Sequence, residues 1–308
     1  MSRAHAFDGI IVIDKPSGPT SARVVAQVKR LLGAKRVGHT GTLDPMATGV
    51  LPLCVGRATK IAGYLLAGDK GYAGEITFGV ETDTLDRQGE VVAQAIPLAK
   101  NISFDDVVAA AASFCGEIKQ VPPMFSALRK NGVRLYKLAR AGKNLELEPR
   151  SVRIDRFSIE EFIASTHLAQ GPRVRFTIQC SKGTYIRSIA RDLGQLLGCG
   201  AHLSELRRIR AGQFGLDVAI PLDQLSPMLA DKRHVSLREA LAHMDSIVVE
   251  DDVVGRIGNG LNLRWDQLGQ TRPIPDKQFC IVTTDSWLLA IASVKDGLLS
   301  YERVFSRS

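Results

Sequence analysis

The chain reads Gly38-His39-Thr40-Gly41-Thr42-Leu43-Asp44-Pro45-Met46-Ala47-Thr48-Gly49 between two segments with helical periodicity. Glycine adopts backbone conformations that other residues avoid, and an Asp-Pro pair is a strong turn initiator. We therefore predict a tight loop that presents one carboxylate, Asp44, from a fixed backbone. Such loops carry function more often than packing, but an aspartate before proline commonly only caps its own turn. Asp44 becomes a candidate for chemistry only if other residues support it.

Helical and alternating patterns are interspersed along the larger part of the chain. Apolar residues spaced three and four apart predict helices at 21–32, 58–66 and 186–197, and short apolar or alternating runs predict strands at 10–13, 72–80 and 174–180. These elements do not alternate regularly, as βαβ units do. We therefore predict an α+β fold with a mixed, largely antiparallel central sheet flanked by helices.

The composition changes near residue 247, after a helical pattern at 237–243. Strand-like runs follow at 279–282, 287–292 and 298–305, with Gly-rich turns at 255–260 and 268–269. We predict one large domain at 1–246 and a small all-β module at 247–308 that could close as a barrel.

The charge of the chain is positive and unevenly distributed. Its 308 residues include 40 Lys and Arg against 32 Asp and Glu, a formal net charge of +8. Residues 119–156 hold ten basic and three acidic residues, 182–210 hold six and two, and 245–308 hold seven and nine. Basic patches concentrated in one domain favour a polyanionic partner such as nucleic acid.

Other classes of protein are disfavoured by what the sequence lacks. Five cysteines without a Cys-x-x-Cys pair are typical of reduced thiols, which predicts a cytoplasmic protein. There is no secretory leader and no run of about 18 apolar residues, so we predict no membrane association. The six histidines are scattered without metal-ligand spacing, so we predict no metal site.

Six segments carry a resemblance to a known family. They are Gly9 to Ser21, which contains Asp-Lys-Pro-Ser-Gly-Pro-Thr-Ser, Gly38 to Gly49, Thr82 to Asp86, Val121 to Leu128, Cys180 to Arg187 and Gly198 to Arg208. Together they resemble the motifs of the TruB family of bacterial tRNA pseudouridine synthases, as far as about residue 215. The β-rich tail is similar to the PUA-type RNA-binding module that often ends such enzymes.

This resemblance implies the pseudouridine synthase fold and an isomerase that converts a T-loop uridine of tRNA into pseudouridine. No cofactor is implied, because the base is detached, turned and rejoined within the substrate. The target base would be flipped out of its loop, and Asp44 would be the nucleophile. Attack on the ribose and attack on the pyrimidine ring both remain open.

The resemblance also assigns roles to other residues. Arg187 would keep the Asp44 carboxylate ionised. Substrate binding is implied for His39, Tyr72, Tyr185 and Leu206, and support of the active-site loop for Lys15 and Pro16. Asp86 matches a carboxylate near the site, although an acidic turn residue facing water is an equal alternative. The basic residues of an RNA-gripping insertion at about 120–150 would contact the RNA backbone: Arg129, Lys130, Arg134, Lys137, Arg140 and Lys143.

The expected partner is therefore the T-stem-loop of tRNA, with no obligate protein partner and a monomeric state. Two alternatives stay open. The first is an RNA-binding or tRNA-folding protein without catalysis, since basic patches and a PUA-like tail would serve that role equally. The second is a guide-RNA-dependent synthase of the same superfamily, working inside a ribonucleoprotein.

Overall fold

The computed structural model describes residues 7–126, 128–130, 132–135, 145, 147–165, 167, 169–270 and 277–305, and for residues 129, 130, 133 and 134 it describes the backbone alone. The strands are β1 (Gly9–Lys15), β2 (Val37–His39), β3 (Thr48–Val55), β4 (Lys70–Phe78), β5 (Val80–Thr82), β6 (Val91–Gln94), β7 (Gly116–Gln120), β8 (Arg129–Lys130), β9 (Val133–Arg134), β10 (Arg150–Ile163), β11 (Arg173–Cys180), β12 (Ala201–Ala211), β13 (Phe214–Gly215), β14 (Ile220–Pro221), β15 (Ser246–Val249), β16 (Phe279–Thr283), β17 (Leu288–Lys295) and β18 (Leu298–Val304). The α-helices are α1 (Ser21–Leu31), α2 (Ala62–Leu66), α3 (Ile96–Ala99), α4 (Phe104–Ala112), α5 (Ile186–Leu196), α6 (Pro227–Arg233), α7 (Leu237–Ala240) and α8 (Asp251–Gly258), and 3-10 helices cover Gly56–Ile61 and Trp265–Leu268.

The central sheet has the strand order β14-β1-β3-β12-β4-β11-β10-β7, with β2 beside β3 and β13 beside β12. β14 runs parallel to β1, and β12 runs parallel to β3. The other neighbours along this path are antiparallel. Helix α5 packs on β12, and α4 packs on β10. The predicted α+β fold with a mixed, largely antiparallel sheet flanked by helices is therefore confirmed.

Local sequence explains why several elements form where they were predicted. The Thr20 side chain accepts a hydrogen bond from the Arg23 N–H and so caps the start of α1, whose Val24 and Val28 are buried. In β11 every second residue from Val174 to Cys180 is buried, as the alternating pattern predicts. The buried stripe of α1 and the buried face of β11 both contribute to the large apolar core.

The prediction that the Asp44 loop lies between two helices is wrong. Two strands, β2 and β3, lie between α1 and the next helix, and Asp44 is on the loop that joins them. All residues of β3 from Gly49 to Val55 are buried. Such a strand lacks the alternation of a half-buried one and is hard to distinguish from a helix by pattern. The helix predicted at 58–66 is also divided, into a 3-10 turn (Gly56–Ile61) and the short helix α2.

The C-terminal segment forms a sheet of four strands in the order β15-β16-β17-β18. The predicted β module is confirmed, although as described it is an open sheet and not a closed barrel. The Gly-rich turn predicted at 255–260 is wrong at its start, because α8 occupies Asp251–Gly258. Buried Val253 and Ile257 explain this helix, since their packing outweighs the low helix propensity of the glycines between and after them.

Two apolar clusters lie on opposite faces of β1. Ile11 and Ile13 pack into the large core that also holds Val24, Phe78 and Phe176. Ile10 and Val12 pack into a second core together with Cys280, Val282 and Ile291 of the C-terminal module. The module is therefore joined to the central sheet through a shared apolar core. Among the described helices, none combines the length and apolar character that a membrane crossing requires.

We predict that Phe176→Ala lowers the free energy of unfolding by about 3–5 kcal/mol, as deletion of a buried phenylalanine ring commonly does. Phe176 is 1% exposed, and its ring meets Phe157 edge-on with the centroids 5.6 Å apart. Urea unfolding followed by circular dichroism measures the change. Phe104→Ala is the control, because Phe104 is 41% exposed and its truncation should cost less than about 1 kcal/mol. Equal losses in the two variants would contradict the core described here.

Candidate active site

The site centres on an ion pair between the β2–β3 loop and the first turn of α5. Arg187 Nη2 donates to Asp44 Oδ1 at 3.0 Å, and Arg187 Nε lies 2.8 Å from Asp44 Oδ2. Each carboxylate oxygen thus has a charge-assisted partner in the fork geometry that guanidinium groups favour. The structure brings together the two residues that the sequence analysis paired.

Arg187 is itself fixed by acceptors from other segments. Its Nη1 donates to the Thr84 carbonyl and its Nη2 to the Phe125 carbonyl, both at 2.9 Å. Asp86 Oδ2 lies 3.7 Å from Arg187 Nε, and both side chains are almost fully buried. Asp86 is therefore not a turn residue facing water. These contacts leave the guanidinium little freedom, so they also determine where the Asp44 carboxylate can lie.

Lys15, at the end of β1, is hydrogen-bonded to the main chain of the Asp44 loop. Its Nζ donates to the carbonyls of Pro16 at 2.8 Å, Pro45 at 3.2 Å and Ala47 at 2.7 Å. Burial lowers the pKa of Lys15 to about 8, while the negative charge of Asp44 opposes this fall. The side chain therefore satisfies main-chain oxygens on the loop at a cost in desolvation.

The turn after β1 and the first residue of α1 form further hydrogen bonds to the main chain of the same loop. Ser21 Oγ accepts a hydrogen bond from the Leu43 N–H at 2.8 Å and donates to the Leu43 carbonyl at 3.0 Å. The Gly18 N–H donates to the Pro45 carbonyl at 2.8 Å. Residues on both sides of Asp44 are thus tied to one segment of the chain, which fixes the direction of the carboxylate.

The protonation of Asp44 is set by opposing effects. Its side chain is 32% exposed, and this exposed part faces the pocket described below. Burial raises the pKa of Asp44, the positive charge of Arg187 opposes the rise, and the negative charge of Asp86 adds to it. The positive charge of Arg187 thus favours the ionised form of a carboxylate that burial alone would drive towards protonation.

A pocket of about 320 Å³ opens beside this ion pair, within the range of roughly 300–1,000 Å³ that small-molecule sites occupy. Tyr72 of β4, Leu206 of β12 and Tyr185 before α5 line it together with Asp44 and Arg187. Tyr72 and Leu206 are each 8% exposed. The pocket therefore combines apolar and aromatic walls suited to a planar base with the charged pair of Asp44 and Arg187.

Comparisons with known proteins agree with this geometry. Residues 29–186 match the family model described as "TruB family pseudouridylate synthase (N terminal domain)", and residues 187–249 match "tRNA pseudouridylate synthase B C-terminal domain". The tRNA pseudouridine synthase B of Ectopseudomonas mendocina is 49% identical over 239 residues, which are 78% of this chain and 75% of that protein. The chain belongs to the TruB family of pseudouridylate synthases. It is therefore an enzyme of the isomerase class.

A second relative is similar to almost the whole chain, and two solved structures resemble it in fold. The tRNA pseudouridine synthase B of Clostridium kluyveri is 41% identical over 300 residues, covering 97% of this chain and 100% of that protein. A chain of a Cbf5-Nop10-Gar1 complex superposes with a TM-score of 0.72 at 26% identity, covering 98% of this chain and 86% of that one. A chain of an H/ACA RNP bound to a substrate RNA containing 2′-deoxyuridine gives 0.71 at 25% identity, with 98% and 86% covered.

His39 is placed beside the TruB pocket but does not line it. It ends β2, and its Nδ1 accepts a hydrogen bond from the Gly41 N–H at 3.3 Å. Burial lowers the pKa of His39, and the positive charge of Arg208 lowers it further. A neutral imidazole is therefore favoured, and its observed contact is with the loop. Pro16 is exposed, and its carbonyl accepts from Lys15.

Two buried cations of the pocket wall, Arg208 and Lys70, were not predicted from the sequence. Lys70 Nζ donates to the Gly68 carbonyl at 2.6 Å, and burial lowers the pKa of Lys70 to about 8. Arg208 was obscured by its neighbour Arg207, because a basic pair on a strand suggests a solvated edge. The alternation of β12 was the available signal, since Leu206 and Arg208 occupy equivalent positions two residues apart.

The predicted RNA-backbone contacts fall largely outside the described residues. The strands β8 and β9 pair as a hairpin that includes Arg129, Lys130 and Arg134. The structure describes these three residues by their backbone alone. Lys137, Arg140 and Lys143 lie outside it entirely. The role of these six residues therefore stays a prediction.

We predict that Gly49→Ala destabilises the enzyme by at least about 1–3 kcal/mol more than Gly18→Ala, because it adds overpacking to backbone strain. Both glycines have positive φ angles, +100° and +108°, but a Cβ at Gly49 would lie 2.2 Å from the Arg208 carbonyl oxygen, whereas nothing lies within 4 Å of one at Gly18. Urea unfolding of the two variants measures the difference. Equal losses would show that the β3–β12 contact is not tight.

Proposed function

We propose that this TruB family enzyme isomerises a uridine in the T-loop of tRNA to pseudouridine, with Asp44 as the nucleophile. The observation that carries the proposal is the two-point contact between Asp44 and Arg187, at 2.8 and 3.0 Å, in the wall of a pocket with aromatic lining. The relatives called tRNA pseudouridine synthase B support tRNA as the substrate.

The proposed reaction balances within the nucleotide. The bond between N1 of uracil and C1′ of ribose breaks, a bond between C5 and C1′ forms, C5 loses a proton and N1 gains one. No electrons pass to or from an external group, so no cofactor is consumed. The ionised Asp44 carboxylate attacks the ribose or the ring and later leaves. Both routes require the same ionised carboxylate, which Arg187 favours.

The pocket suits a base that has left its stack. An enzyme acting on a nucleotide inside a folded loop must extrude the base and hold it against an aromatic or apolar surface. We assign stacking to Tyr72 and the remaining walls to Tyr185 and Leu206, all three of which line the pocket. His39 and Pro16 act on the loop beneath, and Asp86 acts through Arg187.

The remaining chain supplies RNA binding in this proposal. We assign phosphate contacts to the basic residues of the insertion at about 120–150, the catalytic domain to 1–246 and a PUA-like RNA-binding role to 247–308. Phosphate contacts give affinity without sequence preference. The catalytic pocket then selects the nucleotide, and the rest of the surface selects the tRNA.

We further propose that the enzyme works as a cytoplasmic monomer on bare tRNA, without an obligate protein partner. Its five cysteines are free thiols, which fits a reducing compartment. The solved structural neighbours are chains of complexes with Nop10 and Gar1 or of an H/ACA RNP. The relatives at 41–49% identity are called tRNA pseudouridine synthase B instead, and this favours a stand-alone tRNA enzyme over a guide-RNA-dependent one.

We predict that Asp44→Asn abolishes release of tritium from transcript tRNA labelled at uridine C5, because an amide cannot act as the nucleophile. The matched control is Asp14→Asn. Asp14 also forms a two-point pair with an arginine, Arg207, at 3.0 and 2.7 Å, but does not line the catalytic pocket. Asp14→Asn should release tritium at the wild-type level. Release by Asp44→Asn would show that Asp44 is not the nucleophile, whereas absence of release from the wild-type enzyme would favour a role in RNA binding without this chemistry.

We predict that the single-turnover rate rises with pH through the pKa of Asp44, because only the ionised carboxylate attacks. Burial raises this pKa, so the acid limb of the pH–rate profile should lie above about 4, where aspartate ordinarily titrates. Arg187→Gln removes the charge that opposes the rise and should move the limb upward. Arg187→Lys keeps the charge and should move it less while losing rate through the lost fork geometry. A limb at the same pH in both variants would contradict the proposed electrostatic role.

A further inference from the structure

Arg208 is a buried cation for which the chemistry above assigns no task. It is 1% exposed and is one of the largest fully buried side chains in the described part of the protein. A buried arginine is ordinarily paired with a carboxylate. No carboxylate among the described residues lies within 4 Å of its nitrogens, in contrast to Arg187 and Arg207. Its acceptors are instead neutral oxygens.

Those oxygens lie on both sides of Asp44: two are in the loop that joins β2 and β3 (residues 40–47, called the nucleophile loop in this proposal), and the third is in β3. Arg208 Nε donates to the Val50 carbonyl at 2.7 Å, Nη2 to the Gly41 carbonyl at 3.2 Å and Nη1, more weakly, to the Thr42 carbonyl at 3.4 Å. Gly41 and Thr42 precede Asp44, whereas Val50 follows it. One guanidinium therefore spans the loop and sets the distance between its two arms.

The same side chain reaches the aromatic wall. Arg208 is paired with Tyr72 in the register of β12 and β4, and the positive charge of Arg208 opposes the rise that burial causes in the pKa of Tyr72. Tyr72 and Arg208 both line the pocket. The nucleophile loop and the stacking surface thus share one rigid group.

We propose that Arg208 is a positioning residue that fixes the Asp44 carboxylate relative to the Tyr72 ring. The inference rests on the proposed function, since this distance matters only if a base lies between the two groups. A planar guanidinium offers five donors in fixed directions. A lysine would keep the charge, but it would replace three nitrogens that donate in fixed directions to the carbonyls of Val50, Gly41 and Thr42 with one ammonium group on a flexible stem.

The charge of Arg208 also shapes the surroundings of the loop. Burial is the larger cause of the lowered pKa of Lys15, His39 and Lys70, and the positive charge of Arg208 lowers each of them further. His39 is therefore a reporter of this charge. Its pKa, measured by NMR of the imidazole protons, should rise in Arg208→Met and change less in Arg208→Lys.

The test compares Arg208→Lys with Arg207→Lys. Arg207 is the adjacent residue of β12, and its side chain pairs with Asp14 outside the catalytic pocket. Arg208→Lys should lower the single-turnover rate about 10- to 100-fold, since a displacement of about 1 Å can cost a factor of 100. Its affinity for tRNA should stay within about twofold of wild type, because no phosphate contact is lost. Arg207→Lys should match wild type in both.

Two further measurements separate positioning from folding. Hydrogen exchange followed by mass spectrometry should be faster in a peptide covering residues 40–50 of Arg208→Lys, with the rest of the chain unchanged. Arg208→Lys and Tyr72→Phe should also be non-additive in rate, because the two residues are paired across β12 and β4 and line the same pocket. Wild-type rate and exchange in Arg208→Lys, or faster exchange throughout the chain, would overturn the inference. The exchange result needs no activity, so it decides the inference even if wild-type enzyme fails to release tritium and the proposed function falls.

Discussion

The contact between Asp44 and Arg187 joins residues 143 positions apart in the chain, and it resolves a conflict within the pocket. A flipped base is held by excluding water from an apolar surface, but the exclusion of water disfavours an ionised carboxylate. The guanidinium restores part of what the lost water supplied. The guanidinium is itself held in place by the carbonyls of Thr84 and Phe125 and by the carboxylate of Asp86. Removing one member would leave the other charge buried and poorly compensated.

Strand β12 explains how three distant segments meet at this pair. It runs parallel to β3 at Arg207 and Arg208, which attaches the loop that carries Asp44. It runs antiparallel to β4 and so places Leu206 and Arg208 beside the segment that carries Tyr72. Near its start, Leu203 forms a bridge with Asp86. A displacement of β12 would therefore move the loop, the aromatic wall and the acidic turn together.

Sequence patterns predicted the elements that bury one face, but of the two almost fully buried strands β1 and β3 only β1 was predicted. The helix α1 and the strand β11 each expose one side to water, so their periodicity was visible. Strand β3 is buried on both sides and has no such periodicity. The roles of Arg187 and Tyr72 came from the resemblance to the family, because a lone arginine or tyrosine in a helix or strand has many other uses. The burial of Arg208 in the pocket wall was not predicted, because its partners are main-chain oxygens, which every residue has and no motif identifies.

The position of β1 couples the two ends of the molecule. Its residues point alternately into the large core and into the core shared with the C-terminal module, where Ile10 and Val12 meet Cys280 and Ile291. The strand ends at Lys15, whose ammonium group binds the carbonyls of Pro45 and Ala47 on either side of the turn after Asp44. Tightly packed interiors deform little. The C-terminal module and the Asp44 loop both contact the same strand of seven residues, β1, which therefore fixes their positions relative to each other. In the proposed function, an RNA bound by the C-terminal module would be held at a defined distance from the Asp44 carboxylate, and binding energy gained far from the pocket would help to align the target nucleotide.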